Sequence, residues 1–203
     1  MLLPDTDFFA HSTAVIDAPC RIGKGTRIWH YSHVMPNSVV GEDCNIGQNV
    51  VISPNCVIGR GVKIQNNVSV YSGVTIEDDV FLGPSMVFTN VINPRAFIER
   101  KAEYRPTVVG QGCTVGANAT IVCGTHLGRY AMIGAGAVVT RDVPDYGLVT
   151  GNPARLRGWV CWCGTTVAHE LPAQVVDVQC AACARRYRAS DTALIAQPTA
   201  LVG

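Results

Sequence analysis

The chain has 203 residues, of which 48% are hydrophobic and 15% charged, and its formal net charge at pH 7 is +1. It is too apolar to be disordered and is sized for one main domain with a small appendage; without a basic block it offers no electrostatic footprint for nucleic acid, and no apolar run approaches the ~18 residues of a membrane span. The charged fraction lies well below the roughly 25% of ordinary soluble domains, so copies of the same chain are expected to cover part of its surface.

The N-terminal run Met1-Leu2-Leu3-Pro4-Asp5-Thr6-Asp7 lacks the positive region and long apolar stretch of a secretory signal, and a cytoplasmic location is expected. From Ile16 to Phe88 every sixth residue is apolar, through Ile22, Ile28, Val34, Val40 and Ile46 to Val70, Ile76 and Leu82. After an interruption the period resumes, shifted by three, at Val109, Val115, Ile121, Leu127, Ile133 and Val139. A period of six suits neither an amphipathic helix nor an alternating strand. It predicts an all-β fold, a parallel β-helix in which each hexad forms one flat side and three hexads form a triangular coil. The position after the aliphatic is often Gly (Gly23, Gly41, Gly59, Gly116), where a side chain would hinder the turn or close packing. Two positions before it sits a small or β-branched residue (Thr26, Ser32, Val62, Ala119) that fills a tight inward corner. With coils about 4.8 Å apart, around six of them predict a prism roughly 30 Å long.

Residues 89–106 break the hexad phase and must leave the prism. So long an excursion in a regular solenoid is usually functional or disordered. Its cations Arg95, Arg100, Lys101 and Arg105, against Glu99 and Glu103, predict an anion-facing, substrate-binding arm; a solvated loop or a clasp between subunits is the alternative.

Nine cysteines in a reducing compartment argue against a disulfide framework. Cys20, Cys44, Cys56 and Cys113 fall on the small corner position, so packing accounts for them. Cys123 is out of that register and has no evident base nearby, so it too is read as structural. Cys161-Trp162-Cys163 and, after sixteen intervening residues, Cys180-Ala181-Ala182-Cys183 have nearly the spacing of a four-thiolate zinc ribbon, with one residue rather than two between the first pair. Such a site would be filled by protein, and its zinc structural; four free thiols in a tail are the alternative. Residues 165–179, with the alternating Gln174-Val175-Val176-Asp177-Val178, read as a hairpin carrying the knuckles. The chain thus divides into a prism (1–158, with the loop 89–107), a zinc-ribbon-like module (159–188) and a tail (189–203) expected to fray.

Over about residues 12–158 the hexad pattern resembles the left-handed parallel β-helix of the hexapeptide-repeat acyltransferases. The hand comes from that resemblance, which also implies a homotrimer with acyl-coenzyme A in the groove between neighbouring prisms. Ile64-Gln65-Asn66-Asn67-Val68-Ser69-Val70-Tyr71, Val80-Phe81-Leu82-Gly83-Pro84-Ser85-Met86-Val87-Phe88-Thr89-Asn90 and Asn93-Pro94-Arg95 narrow it. So do Trp29-His30-Tyr31-Ser32-His33, the run from Gly116 to Gly124, Asp142-Val143-Pro144 and Gly151-Asn152-Pro153-Ala154-Arg155. These stretches resemble bacterial N-acetyltransferases of nucleotide-linked 3-amino sugars, particularly those acting on UDP-2-acetamido-3-amino-2,3-dideoxy-glucuronate in the O-antigen of lipopolysaccharide.

The resemblance implies attack by a sugar amine on the thioester of acetyl-CoA. An amine flanked by electron-withdrawing oxygens titrates nearer the ~7.7–8.0 of an α-amino group than the ~10.4 of lysine. Orientation then matters more than a strong base, and is worth roughly 7–11 kcal/mol of the barrier. Asn90 is the first choice to hold the amine through its amide oxygen, although Asn also suits a left-handed turn. His30 and His33 are the competing bases, expected rather to contact nucleotide or sugar. Tyr71, Asn93, Arg95, Arg100 and Lys101 complete the implied substrate site. Asn118, Gly134, Ala135 and Gly136 are implied for the pantetheine arm, where small residues allow close approach, and Arg141 and Arg155, with Arg157 nearby, for phosphates. The arm's cations suit a hexuronate carboxylate or a pyrophosphate alike, so a dTDP-linked 3-amino-deoxyhexose remains open. A γ-type carbonic anhydrase would need a third histidine that His30 and His33 lack in the later coils; a trimeric scaffold without activity leaves the basic arm unexplained.

Overall fold

The computed structural model describes residues 7–198, so all but Asp7 of the N-terminal run read for a signal and the last five tail residues lie outside it. Among the described residues every regular element is a β-strand except one 3-10 turn, Lys101–Glu103. Most strands are two residues long, an outward residue followed by the inward aliphatic, as in Arg27–Ile28 and Val51–Ile52. Strands from successive coils pair in parallel, Arg27 with Asn45 and Ile28 with Ile46.

Three faces result. The first stacks Phe9–Ala10, Arg27–Ile28, Asn45–Ile46, Lys63–Ile64, Phe81–Leu82, Thr114–Val115, Met132–Ile133 and Gly147–Thr150. The second stacks Val15–Ile16, His33–Val34, Val51–Ile52, Ser69–Val70, Val87–Phe88, Thr120–Ile121 and Val138–Val139. The third stacks Arg21–Ile22, Val39–Val40, Val57–Ile58, Val74–Ile76, Thr107–Val109 and His126–Leu127. With rungs numbering eight, seven and six, the prism is longer than the six coils expected, because Phe9–Ala10 and Gly147–Thr150 extend the first face at both ends.

The inward positions form one core. Ile28 through Phe88 and Val109 through Val139 are buried, as are the corner residues Thr26, Ser32, Ser38, Val62 and Ala119. Burying each such aliphatic is worth about 1.5–3 kcal/mol. Ile16 and Ile22 are only partly buried, since among the described residues few lie beneath the first coil to cover them. Three buried corner hydroxyls are satisfied by the coil above, Thr26 Oγ1 donating to the Gly41 carbonyl at 2.8 Å, Ser32 Oγ to that of Gly47 at 2.7 Å and Ser38 Oγ to that of Ser53 at 2.9 Å, whereas Thr107 Oγ1 is buried without a partner.

The repeating glycines serve close packing rather than a left-handed turn. A Cβ on Gly116 would lie 2.5 Å from the Ala135 nitrogen, and one on Gly41 2.5 Å from the Gly59 carbonyl oxygen. The left-handed residue comes later, three after the aliphatic, and is commonly Asn, Asp or Gly: Asn37 (φ 62°), Asp43 (54°), Asn49 (58°), Asn67 (62°) and Gly61 (69°). Asn and Asp tolerate this region because their short polar side chains bond locally.

The first face continues beyond the prism. Gly147–Thr150 pairs antiparallel with Arg155–Val160, which pairs antiparallel with Thr166–Ala168. Val176–Gln179 pairs with Arg186–Ala189, not with the strand at 166–168, so the hairpin expected within 165–179 is instead built around the second cysteine pair. Both partners of that hairpin flank the tight turn at Cys180, where the Cys180 and Arg185 backbones bond. The tail does not fray at Ala189: Leu194–Ala196 forms a third strand on Arg186–Ala189, and Ala189 and Leu194 are buried in a second core with Trp159 and Tyr187. The boundary expected between 158 and 159 falls inside the strand Arg155–Val160.

Candidate functional site

The arm is inserted at the edge between the second and third faces, after Val87–Phe88 and before Thr107–Val109. No coil is skipped, since Phe88 pairs with Ile121 and Ile76 with Val109. Its root is closed by the Arg105 amide donating to the Asn90 carbonyl at 3.0 Å and by the Cys123 amide donating to Thr89 Oγ1 at 2.9 Å. Asn90, Val91, Arg95, Phe97, Arg100 and Tyr104 are among the residues lining an open hollow of about 510 Å³, within the range of small-ligand sites.

The arm carries less free positive charge than its sequence suggests. The 3-10 turn stacks Arg100 over Glu103, with Nη1 to Oε1 at 2.7 Å, and Lys101 Nζ lies 3.5 Å from Glu99 Oε2. Arg95 Nη1 donates to the Pro94 carbonyl. Arg100 Nε is buried with no hydrogen-bond partner, a donor available to whatever fills the hollow. Asn93 is exposed and does not line the hollow. Tyr71 follows Ser69–Val70 at the same edge, one coil below Thr89.

The histidines lie elsewhere. His33 is an outward residue of the second face, three coils from Val87 through Val51 and Ser69, or about 14 Å at ~4.8 Å per coil. Its Nε2 lies 2.7 Å from Asp17 Oδ2. Asp17 was not singled out in the sequence; its cue is that the residue after an aliphatic neighbours the outward residue one coil on. His30 turns the edge between the first and second faces and stacks on His11 with ring centroids 3.5 Å apart. Burial, with repulsion from His30, holds the His11 imidazole below its ordinary value.

The cofactor candidates fall into two groups. Asn118, Ala135 and Gly136 sit on successive coils of the edge between the first and second faces, where the Gly136 amide donates to Ala117. Asn118 (φ 57°) and Gly136 (φ 67°) are also the left-handed turn residues there. A Cβ on Gly136 would meet nothing within 4 Å, whereas one on Gly134 would press on Thr150. Arg141 and Arg155 line one hollow of about 270 Å³ at the C-terminal end of the prism. Arg141 occupies the same edge as Asn90, two coils along the Phe88–Ile121–Val139 ladder. Arg157 is exposed on the strand leading from Arg155.

In the C-terminal module the sulfur atoms of Cys161, Cys163, Cys180 and Cys183 all lie within 4.8 Å of one another. The Thr165 hydroxyl and amide hold the Cys163 thiol well below its usual range, whereas burial raises that of Cys161. Among the corner cysteines, burial raises Cys44, Cys56 and Cys113, which suits packing rather than nucleophilic chemistry.

A prism of stacked hexads with an arm at one edge defines a hexapeptide-repeat transferase. Residues 19–54 match the bacterial transferase hexapeptide family (six repeats), and residues 48–144 the GMPPB C-terminal domain family. The dTDP-3-amino-3,6-dideoxy-alpha-D-galactopyranose 3-N-acetyltransferase of Aneurinibacillus thermoaerophilus is 46% identical over 184 residues, 90% of this chain and 92% of its own. Among solved structures, a histidine-to-alanine mutant of the GDP-perosamine N-acetyltransferase from Caulobacter crescentus with CoA and GDP-perosamine has a TM-score of 0.52 at 23% identity. The acetyltransferase domain of PglB from Neisseria gonorrhoeae with acetyl coenzyme A has a TM-score of 0.51 at 22% identity. Each likeness covers 74% of this chain and 57% of the other, and carries the fold. The chain belongs to the hexapeptide-repeat sugar N-acetyltransferases, enzymes built on the left-handed parallel β-helix. Among the described residues no helix is long and apolar enough to cross a membrane.

Proposed function

We propose that this enzyme transfers the acetyl group of acetyl-CoA to the 3-amino group of a dTDP-linked 3-amino-deoxyhexose in the cytoplasm. The observation that carries this reading is the 46% identity, over 90% of the chain, to an enzyme named for a dTDP-3-amino-3,6-dideoxyhexose. The acid sugar UDP-2-acetamido-3-amino-2,3-dideoxy-glucuronate is therefore the competing substrate rather than the leading one.

In the reaction, the sugar nitrogen's lone pair attacks the thioester carbonyl. A C–N bond forms, the tetrahedral oxyanion collapses, the C–S bond breaks, and the departing coenzyme A sulfur takes up the proton lost by the nitrogen, so that the products are the amide and the free thiol. Asn90 is the catalytic residue of this reading, its amide oxygen accepting an N–H of the amine and aiming the lone pair. His30, on another edge, and His33, on the second face three coils from the arm's root, serve substrate contacts rather than as its base, and Tyr71, Asn93, Arg95, Arg100 and Lys101 belong to the sugar-nucleotide side. The pantetheine arm runs past Asn118, Gly134, Ala135 and Gly136, with Arg141 and Arg155 on the phosphates.

The active form in this reading is a homotrimer. Asn90 and Gly136 turn different edges of one prism, so a site joining amine to thioester draws on a second copy. Phe97, 84% exposed at the arm, is an apolar surface suited to that copy. The C-terminal cysteines hold a structural zinc, in a module separate from the reaction.

The test is thiol release from acetyl-CoA with the dTDP-linked deoxy sugar and the UDP-linked acid at equal concentration. The reading expects at least tenfold higher kcat/KM for the former. A preference for the acid reverses the substrate assignment, and no release with either amine removes the activity.

A further inference from the structure

The C-terminal sulfurs are arranged for one metal ion. Four thiolates about 2.3 Å from a tetrahedral zinc stand roughly 3.8 Å apart. Here Cys161 and Cys183 are 3.4 Å apart, Cys163 and Cys180 3.6 Å, and all four lie within 4.8 Å. Those separations are far beyond the ~2.05 Å of a disulfide bond. The two pairs come from the turns of two different hairpins, one closing Arg155–Val160 against Thr166–Ala168 and one closing Val176–Gln179 against Arg186–Ala189. The two hairpins share a small core of Trp159, Tyr187, Ala189 and Leu194, and the two cysteine pairs meet at its edge.

Tyr187 reports on the state of these sulfurs. It is fully buried, its hydroxyl accepts from the Trp162 amide at 3.1 Å, and it lies 3.0 Å from Cys161 Sγ. A buried phenol places its proton on an acceptor; either atom of the Tyr187–Cys161 pair can be the donor, and a metal-bound thiolate at Cys161 would accept from the phenol. The same ring continues a ladder on the edge between the third and first faces. Tyr187 packs edge-on to Tyr146 at 5.7 Å, and Tyr146 stacks on Tyr130 at 5.4 Å. Tyr130 and Tyr146 hold left-handed backbone (φ 57° and 61°), a conformation uncommon for bulky residues that their neighbours must stabilise.

We propose that Cys161, Cys163, Cys180 and Cys183 bind one zinc ion that serves as the terminal rung of the prism, with Tyr187 coupling the ion to the Tyr146–Tyr130 ladder. The metal closes the open end of the solenoid: the strand Arg155–Val160 that leads into the first knuckle is hydrogen-bonded to the last rung of the first face. A full thiolate shell leaves no position for water, so the ion is structural.

The experiment measures metal content and native-state hydrogen exchange of the full-length protein, before and after removal of metal by a chelator under reducing conditions. One zinc per chain is expected, with exchange at residues 143–150 and 155–160 accelerated at least tenfold once it is removed. Cys180→Ser should bind less than a tenth as much zinc. Tyr187→Phe should keep the zinc at full occupancy but release it to chelator with about 10–100-fold weaker affinity, as for lost outer-shell partners. Absence of metal from protein made in zinc-containing medium, iron in its place, or two disulfides by mass overturns the site. Unchanged exchange at 143–150 after zinc loss overturns the capping role, and the chelated native protein supplies this comparison even where Cys180→Ser fails to fold.

Discussion

Asn90 stands at the point where the regular backbone ends, but it is not among the residues with left-handed backbone, so the duties to separate are shaping the arm's root and holding an amine. They separate by substitution. Asn90→Ala is expected to lower kcat about 100-fold, the scale of a lost orientation, with KM for acetyl-CoA and the assembly state unchanged. A drop in assembly or melting temperature without a change in kcat per folded site assigns it to shaping the arm's root. His33→Ala, by contrast, should change KM for the nucleotide sugar and leave kcat within tenfold, since His33 is bound to Asp17 and three coils away from the arm's root. The His11–His30 stack sets a pH dependence. Because burial and His30 lower the His11 pKa in the folded state, the unfolded chain binds more protons as pH falls, and stability is lost as pH drops through the ordinary imidazole range near ~6.5. His30→Gln should raise the His11 value, followed by its imidazole NMR shifts, and flatten that loss; an unmoved titration removes the coupling.

At the level of the elements, the hexad and the corner positions were legible because each inward residue is buried by its own coil and the next, a local and strictly periodic demand. The left-handed turn position was not. Tyr31, Ser85 and Tyr130 stand among its Asn, Asp and Gly residues, and the more regular glycine column drew the turn argument to the wrong place. Two substitutions separate these glycine roles. Gly136→Ala meets open space and suffers only the left-handed penalty, about 1–2 kcal/mol. Gly116→Ala drives a methyl to 2.5 Å from the Ala135 backbone nitrogen and is expected to cost at least about 3 kcal/mol, beyond ordinary overpacking. Urea unfolding of the two variants checks the order; equal losses would mean the coils relax freely. The arm's ion pairs and the partner of Val176–Gln179 escaped the sequence for a different reason. Arg100 meets Glu103 only because a 3-10 turn forms there, and the second hairpin pairs around Cys180, which hydrophobic alternation alone does not specify.

For the whole molecule, the low charged fraction and the exposed apolar groups are what the proposed trimer would cover. The outward residues of the second face, Val15, Val51, Ser69, Val87, Thr120 and Val138, are uncharged apart from their neighbour His33. Val15 and Val87 are about half exposed, and Phe97 more so. An isolated prism would leave these apolar groups in water, and it would also hold the amine-side Asn90 and the Gly134–Gly136 run on separate edges. Phe97→Asp places a charge where a second copy would pack without touching the hexad core. It should therefore leave the melting behaviour of the prism nearly intact while shifting sedimentation from trimer toward monomer. Activity per chain should then rise with protein concentration, since monomers lack the opposing edge. A monomeric Phe97→Asp protein with full, concentration-independent turnover would place the complete site within one chain.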